Sequence, residues 1–294
     1  MPIEVIGQGA VTGLLNGGII ALIAIGLTLI WGVMGVLNMA HANFVMVALF
    51  VGYMLVKYLG IHPYLTIIVL VPLFFFLGIL FTQYLIKPTL KISSHLALLI
   101  TIAFMLFLEG IMTFVGVKVL KVDFIAVDPK YWLGTFNVGA IVIDTPLAIA
   151  FVASIVLALG LFWLIRKTDI GRNIRATAEN PRTASLMGIN VGRVQLIAFG
   201  IGISTAAVAA SLMLPTIAFN SGIGNNFMLI AFVAVVLGGL GNFIGTFIAG
   251  FIVGFAEGMA GVFLPASLVP AVSLSILIFV LVFRPQGLFG DRGL

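Results

Sequence analysis

Residues 166–193 read RKTDIGRNIRATAENPRTASLMGINVGR, a basic and polar island set between long apolar runs. Six of the fourteen Lys and Arg residues of the chain lie in it. The remainder has the opposite character: 62% of the 294 residues are hydrophobic and only 8% are charged. A soluble domain of this length needs far more charge to cover its surface, so the chain reads as an all-α polytopic integral membrane protein. Such a protein, gathering its few charges in one long loop, presents that loop to a soluble partner.

Outward from the loop, apolar runs lie near 10–34, 42–60, 63–86, 95–116, 145–165, 194–214, 226–241, 243–262 and 266–283. A span needs about 20 residues, so the run at 226–241 is short. The expectation is eight or nine transmembrane helices. Two neighbouring pairs are joined by uncharged links, GVLNMAH at 35–41 and GGLGN at 238–242, which read either as tight surface turns or as helices broken or re-entrant inside the bilayer. The opening MPIEVIGQG lacks the positive segment of a secretory signal, so the first run is expected to be retained.

Charge sets the orientation. Lys87, Lys91, Arg166, Lys167, Arg172, Arg175, Arg182, Arg193, Arg284 and Arg292 fall in connections that share one face, against Lys57, Lys118, Lys121 and Lys130 on the other. Positive residues stay inside, so the amino terminus is expected outside and the carboxyl terminus in the cytoplasm. The segment 117–144, with Asp123, Asp128, Lys130, Tyr131 and Trp132, is then external. No hinge or soluble insertion interrupts the pattern, so 1–294 reads as one membrane domain with a cytoplasmic loop at 166–193.

Several function classes drop out. There is no cysteine, hence no disulfide, thiolate metal site or Cys nucleophile. No G-x-x-x-x-G-K-[ST], H-E-x-x-H or G-x-S-x-G occurs, and three scattered histidines do not make a metal site. The net charge of +5 reflects basic loops rather than a nucleic-acid surface. The chain is read as a non-enzyme that binds no cofactor itself.

Within the loop, Pro181 suits the first turn of a short helix, where its missing N–H costs nothing. Gly188 suits the left-handed position just past the end of that helix, and Asn190 can cap the next one. Glu179, Arg182 and Ser185 are expected to be exposed. Spacing alone fits both a knob for a partner's groove and an amphipathic helix lying at the interface.

Elsewhere, Gly35 to Asn43 places Asn38, His41 and Asn43 between two apolar runs. At a broken helix, free N–H groups favour a carboxylate and free carbonyls an ammonium group; a capped surface turn fits the pattern equally. Asn242 follows Gly239 much as Asn38 follows Gly35. Glu109 and Glu257 sit within apolar runs, where ionisable groups are expensive, either on a path or bonded across an interface. Gly250, Gly254 and Gly258 share one helix face, for packing within the subunit or against a second one.

The stretch from Arg175 to Asn190 closely resembles the cytoplasmic loop of branched-chain amino acid ABC transporter permeases of the LivH type. ALIAIGLTLIWGVMGVLNMAHANF at 21–44, VVLGGLGNFIGTFIAGFIVGFAEG at 235–258 and FRPQGLFG at 283–290 resemble further blocks of that family in the same order. The short amino-terminal segment fits the LivH type better than its LivM-type partner. The chain departs from the pattern after His41, where glycine and an acidic residue are usual and Ala42 and Asn43 stand here.

The resemblance implies a permease subunit of an ATP-driven importer in a bacterial or archaeal cytoplasmic membrane, with branched-chain or other apolar amino acids as cargo. It implies that Arg175, Glu179, Arg182, Ala184, Gly188, Ile189 and Asn190 belong to a coupling element that docks an ATPase. The implied partners are a second, LivM-like permease, two ABC ATPases carrying ATP and Mg, and an external substrate-binding protein. Asn38, His41, Asn43, Asn242 and Glu257 are the candidates for a translocation path. The rival reading is an ion-coupled secondary transporter using Glu109 or Glu257.

Overall fold

The long apolar runs do form helices, and their order fixes two ends of a bundle. The computed structural model describes residues 3–290, so Arg292, counted above among the basic residues of one face, lies outside the described residues. The helices are α1 (Ile3–Met34), α2 (His41–Leu59), α3 (Thr66–Phe81), α4 (Lys87–Leu90), α5 (Ser94–Phe114) and α6 (Thr145–Lys167). They continue with α7 (Asp169–Glu179), α8 (Pro181–Leu186), α9 (Val191–Met213), α10 (Ile223–Gly238), α11 (Phe243–Phe263) and α12 (Val269–Phe283). Wider π turns at Thr82–Ile86 and Val115–Leu120 join α3 to α4 and extend α5. Among the described residues, eight helical segments are long and apolar enough to cross a membrane. At 16 residues, α10 is about 24 Å long and falls short of the ~30 Å hydrocarbon core.

At one end of the bundle Lys87 Nζ donates to Gly192 O (2.8 Å), so the start of α4 meets the start of α9, just after the loop of α7 and α8. At the other, Gln8 clamps Val142 through both its amide atoms (2.7 and 2.9 Å). Val142 belongs to a departure from the helical pattern, a hairpin of β1 (Thr135–Val138) and β2 (Ile141–Asp144). It lies in the segment expected to be external.

α1 is apolar all round and accordingly central, packed on α11, α9, α6 and α10. Lipid tails are as apolar as leucine, so close packing rather than hydrophobicity holds such helices together. The glycines make that packing: a Cβ on Gly13 would lie 2.6 Å from Gly254 O and 2.8 Å from Gly258 Cα, and one on Gly17 would lie 2.9 Å from Phe251 Cα. The glycine face of α11 is therefore spent on α1, within the subunit. Thr28 and Thr246 add a buried hydroxyl bond across the same seam (2.8 Å). Phe76, Leu99, Phe107, Ile278 and Phe279 project outward from the peripheral α3, α5 and α12.

The link between α1 and α2 doubles back into the bundle. Gly35, at φ +64°, ends α1, and six residues later the His41 ring lies 3.1 Å from Ile23 O. Ile23 is eleven residues before the end of α1, about 16 Å along its axis. Met39 N–H likewise donates to Thr101 Oγ1 (3.2 Å), well inside α5. α2 thus begins in the interior, and irregular backbone at that depth is tolerated because protein surrounds it.

Candidate functional site

Three places carry most of the residues singled out from sequence. The first is the loop. Thr168 caps α7, accepting from Gly171 N (3.1 Å). Gly171, Ile174 and Thr177, three residues apart, turn one face of α7 inward. The Arg175 guanidinium donates to Ile165 O and ties α7 to the end of α6, while the residue stays exposed. α7 ends at the exposed Glu179, and Asn180 restarts the chain as α8, its Oδ1 accepting from Arg182 N and Thr183 N (3.0 and 3.1 Å). The restart at Pro181 is as expected from sequence, whereas α7 before it was not anticipated. The Asn-Pro pair and the Thr-Asp start were their signals.

Pro181 opens α8 and Gly188, at φ +84°, closes it. Ile189 N bonds Ala184 O (3.1 Å) and Gly188 N bonds Ser185 O (3.0 Å), which together satisfy the last carbonyls of the helix. Asn190 then caps α9 through Arg193 N (3.0 Å). Ala184 is buried beneath this turn, Ile189 half-buried, and Arg182 and Ser185 exposed. The tip that sequence did not single out is Leu186 and Met187, 87% and 79% exposed. At 100° per residue Leu186 points away from Ala184, so burial of the small residue dictates exposure of the large one.

The second place is the interior break. Asn38, His41 and Asn43 are all buried. Asn38 Oδ1 accepts from Ala40 N (3.2 Å), and Asn43 Nδ2 donates to Met105 O of α5 (3.2 Å). Asn38 Nδ2, His41 Nδ1 and Asn43 Oδ1 have no partner. A buried polar atom without a partner costs about 1–3 kcal/mol, and three within six residues of one break leave it ready for a donor, an acceptor or water.

The third is a cleft of about 1040 Å³ at the loop end, lined in part by Trp31, Gly35, Arg166, Arg175, Asn242 and Gln286. Asn242 caps α11 through Gly245 N (2.9 Å) and donates to Phe289 O (2.7 Å), holding the tail in place. Leu288 N bonds Leu237 O (2.7 Å) in the same corner. Glu257 stands apart from all three, accepting from Ser273 of α12 (2.7 Å). The five path candidates are therefore not brought together: three lie at the break, one lines the cleft, and one bridges α11 to α12. Among the described residues no group of three or more His, Cys, Asp or Glu could hold a metal ion.

Comparison with known proteins agrees over almost the whole chain. The family model described as branched-chain amino acid transport system / permease component matches residues 9–283. The chain is 31% identical to the high-affinity branched-chain amino acid transport system permease protein LivH of Escherichia coli K12, covering 96% of this chain and 95% of that protein. It is 30% identical to LivH of Salmonella typhimurium over the same shares, and 29% identical to BraD of Pseudomonas aeruginosa over 96% and 95%. No solved structure matches it. With eight helical segments among the described residues fit to cross a bilayer, the chain is a multi-pass protein of the cytoplasmic membrane, and it belongs to the family of branched-chain amino acid transport system permeases.

Proposed function

We propose that this permease forms half of the translocation path of an ATP-driven importer for branched-chain amino acids and docks a cytoplasmic ATPase through α8. The observation that carries the reading is the mounting of α8. Its outer tip is apolar and free, while its base is fixed through Ala184, the turn after it, and α7 tied to α6. A knob so attached transmits movement of a docked ATPase to the membrane helices as rigid-body displacement. The excess of Lys and Arg at that end supports a cytoplasmic orientation for it, with the hairpin end outside.

The partners in this reading are a second permease, two ATPases that carry ATP and Mg, and an external binding protein that delivers the cargo. This chain supplies the gated path and no catalysis. Asn38, His41 and Asn43 are its interior polar groups, and opening of the break would expose their unpartnered atoms to cargo.

The test is gentle purification from native membranes, with the wild type beside a variant carrying Leu186→Asp and Met187→Asp. The wild type should bring down two P-loop ATPases and a second permease, identified by mass spectrometry. The variant should fold normally, because both side chains are exposed, yet lose roughly tenfold or more of the ATPase. Full retention of the ATPase by the variant would remove α8 as the docking element. Uptake that follows an ion gradient and ignores ATP would favour the secondary transporter and turn attention to Glu109 and Glu257.

A further inference from the structure

Glu109 lies on α5 about 22 Å from its Ser94 end, within the membrane span. It is half-exposed, on a flank of α5 that it shares with the exposed Leu106. Among the described residues no Lys, Arg or His pairs with it. Its Oε2 accepts from Asn225 Nδ2 (3.1 Å) in the first turn of α10. One turn further on, Thr113 bonds Ser221 (2.8 Å). Asn225 and Asn226 are exposed beside it. Such a run of polar groups at this depth does not face lipid tails.

Behind the seam stands Asn43. Its Nδ2 is committed to Met105 O, one helical turn from Glu109 on α5. Its Oδ1 is buried and unpartnered, and abuts Gly224, so closely that a Cβ there would lie 2.9 Å away. Gly224 precedes the residue that holds Glu109. Two acceptors, one of them a carboxylate, therefore flank the start of α10, tied to α5 at Met105 and Glu109, positions ~6 Å apart along its axis, and among the described residues no Lys, Arg or His pairs with either.

We propose that Glu109, with Asn43 behind it and Asn225 beside it, forms a subsite on the α5–α10 seam that receives the ammonium group of the transported amino acid. The inference rests on the amino acid cargo proposed above and adds the residue that recognises it. An ammonium group carries three donors and a full charge, and a bond from it to a carboxylate is about twice as strong as a neutral one. Asn225 and the positive end of the α10 dipole hold the carboxylate in place without neutralising it. The same geometry would accept a Lys or Arg from the second permease, and the experiment separates the two.

The importer is assembled from all its subunits in proteoliposomes, and radiolabelled leucine uptake is measured together with ATP hydrolysis stimulated by the loaded binding protein. Glu109→Gln should leave the second permease bound and the stimulated hydrolysis intact, while lowering leucine moved per ATP by roughly tenfold or more. Glu109→Asp, which keeps the charge, should recover part of that loss. Wild-type uptake by Glu109→Gln would overturn the subsite. So would loss of the second permease from the assembly, which would make Glu109 an interface residue. A wild-type assembly that hydrolyses ATP but moves no amino acid removes the cargo reading itself, and the subsite with it, before any variant is compared.

Discussion

Along the α1–α11 seam Gly13 meets Gly254 and Gly258 backbone to backbone, and the hydroxyls of Thr28 and Thr246 satisfy each other. Along the α5–α10 seam Glu109, Thr113, Ser221 and Asn225 make bonds that use only part of their capacity, and Asn43 Oδ1 beside them has none. The first seam has one good arrangement, since any separation forfeits packing that nothing in lipid replaces. The second is incomplete as it stands, so a change in its surroundings can improve it. A transporter needs both kinds: helices that move as one body, and a face whose best state depends on what it meets.

The contrast breaks most easily at Gly254. Leucine there drives a side chain into the Gly13 and Gly17 backbone, which cannot yield without parting α1 from α11. Overpacking in an adaptable core costs about 1–3 kcal/mol, and a backbone obstacle puts the cost above that range. Gly254→Leu is expected to abolish a monodisperse species in detergent, as read by fluorescence-detected size-exclusion chromatography. A well-folded Gly254→Leu protein would mean the two helices are not in contact, and the rigid-body half of the comparison would fall.

His41→Ala probes the interior break. The ring is fully buried and bonds only Ile23 O, so alanine leaves that carbonyl without the contact and opens a cavity beside Gly26. The expected loss is about 1–3 kcal/mol, read as a lowered melting temperature of the purified subunit. If melting is unchanged and only uptake falls, the break contributes to transport without contributing to the fold.

How much of this was legible beforehand follows from what lipid demands. Runs at 145–165 and 194–214 became α6 (Thr145–Lys167) and α9 (Val191–Met213) because a bilayer enforces length and apolarity almost residue by residue. Pro181, Gly188 and Asn190 were legible because each meets a local backbone requirement at the start, end and restart of a helix. Depth was not. GVLNMAH reads the same at a surface as in the interior, and the contacts of His41 with Ile23 and of Met39 with Thr101 decide between them. GGLGN has a similar pattern and caps α11 beside the tail. The hairpin at 135–144 was hidden because its strands are four residues each and largely exposed, too short for an alternation to register. For Arg175 the obstacle was different: a basic residue in a basic loop looks free until its partner, a main-chain carbonyl ten residues earlier, is seen.

The smallest expected effect separates the two intramembrane glutamates. Glu109 accepts from an exposed amide on a seam rich in further polar groups, whereas Glu257 accepts from Ser273, which is itself fully buried between α11 and α12. A hydrogen bond between membrane helices is worth on average about 0.6 kcal/mol, so Ser273→Ala should lower the melting temperature by only a degree or two, roughly. Leucine uptake by the assembled importer should not change, because the role of the bond is to tie a peripheral helix to the central pair. A fall in uptake at unchanged melting would instead put Glu257 on the path. The carboxylates would then be two stations of one route, and the division between a rigid pair of helices and a responsive seam would have to be redrawn through α11.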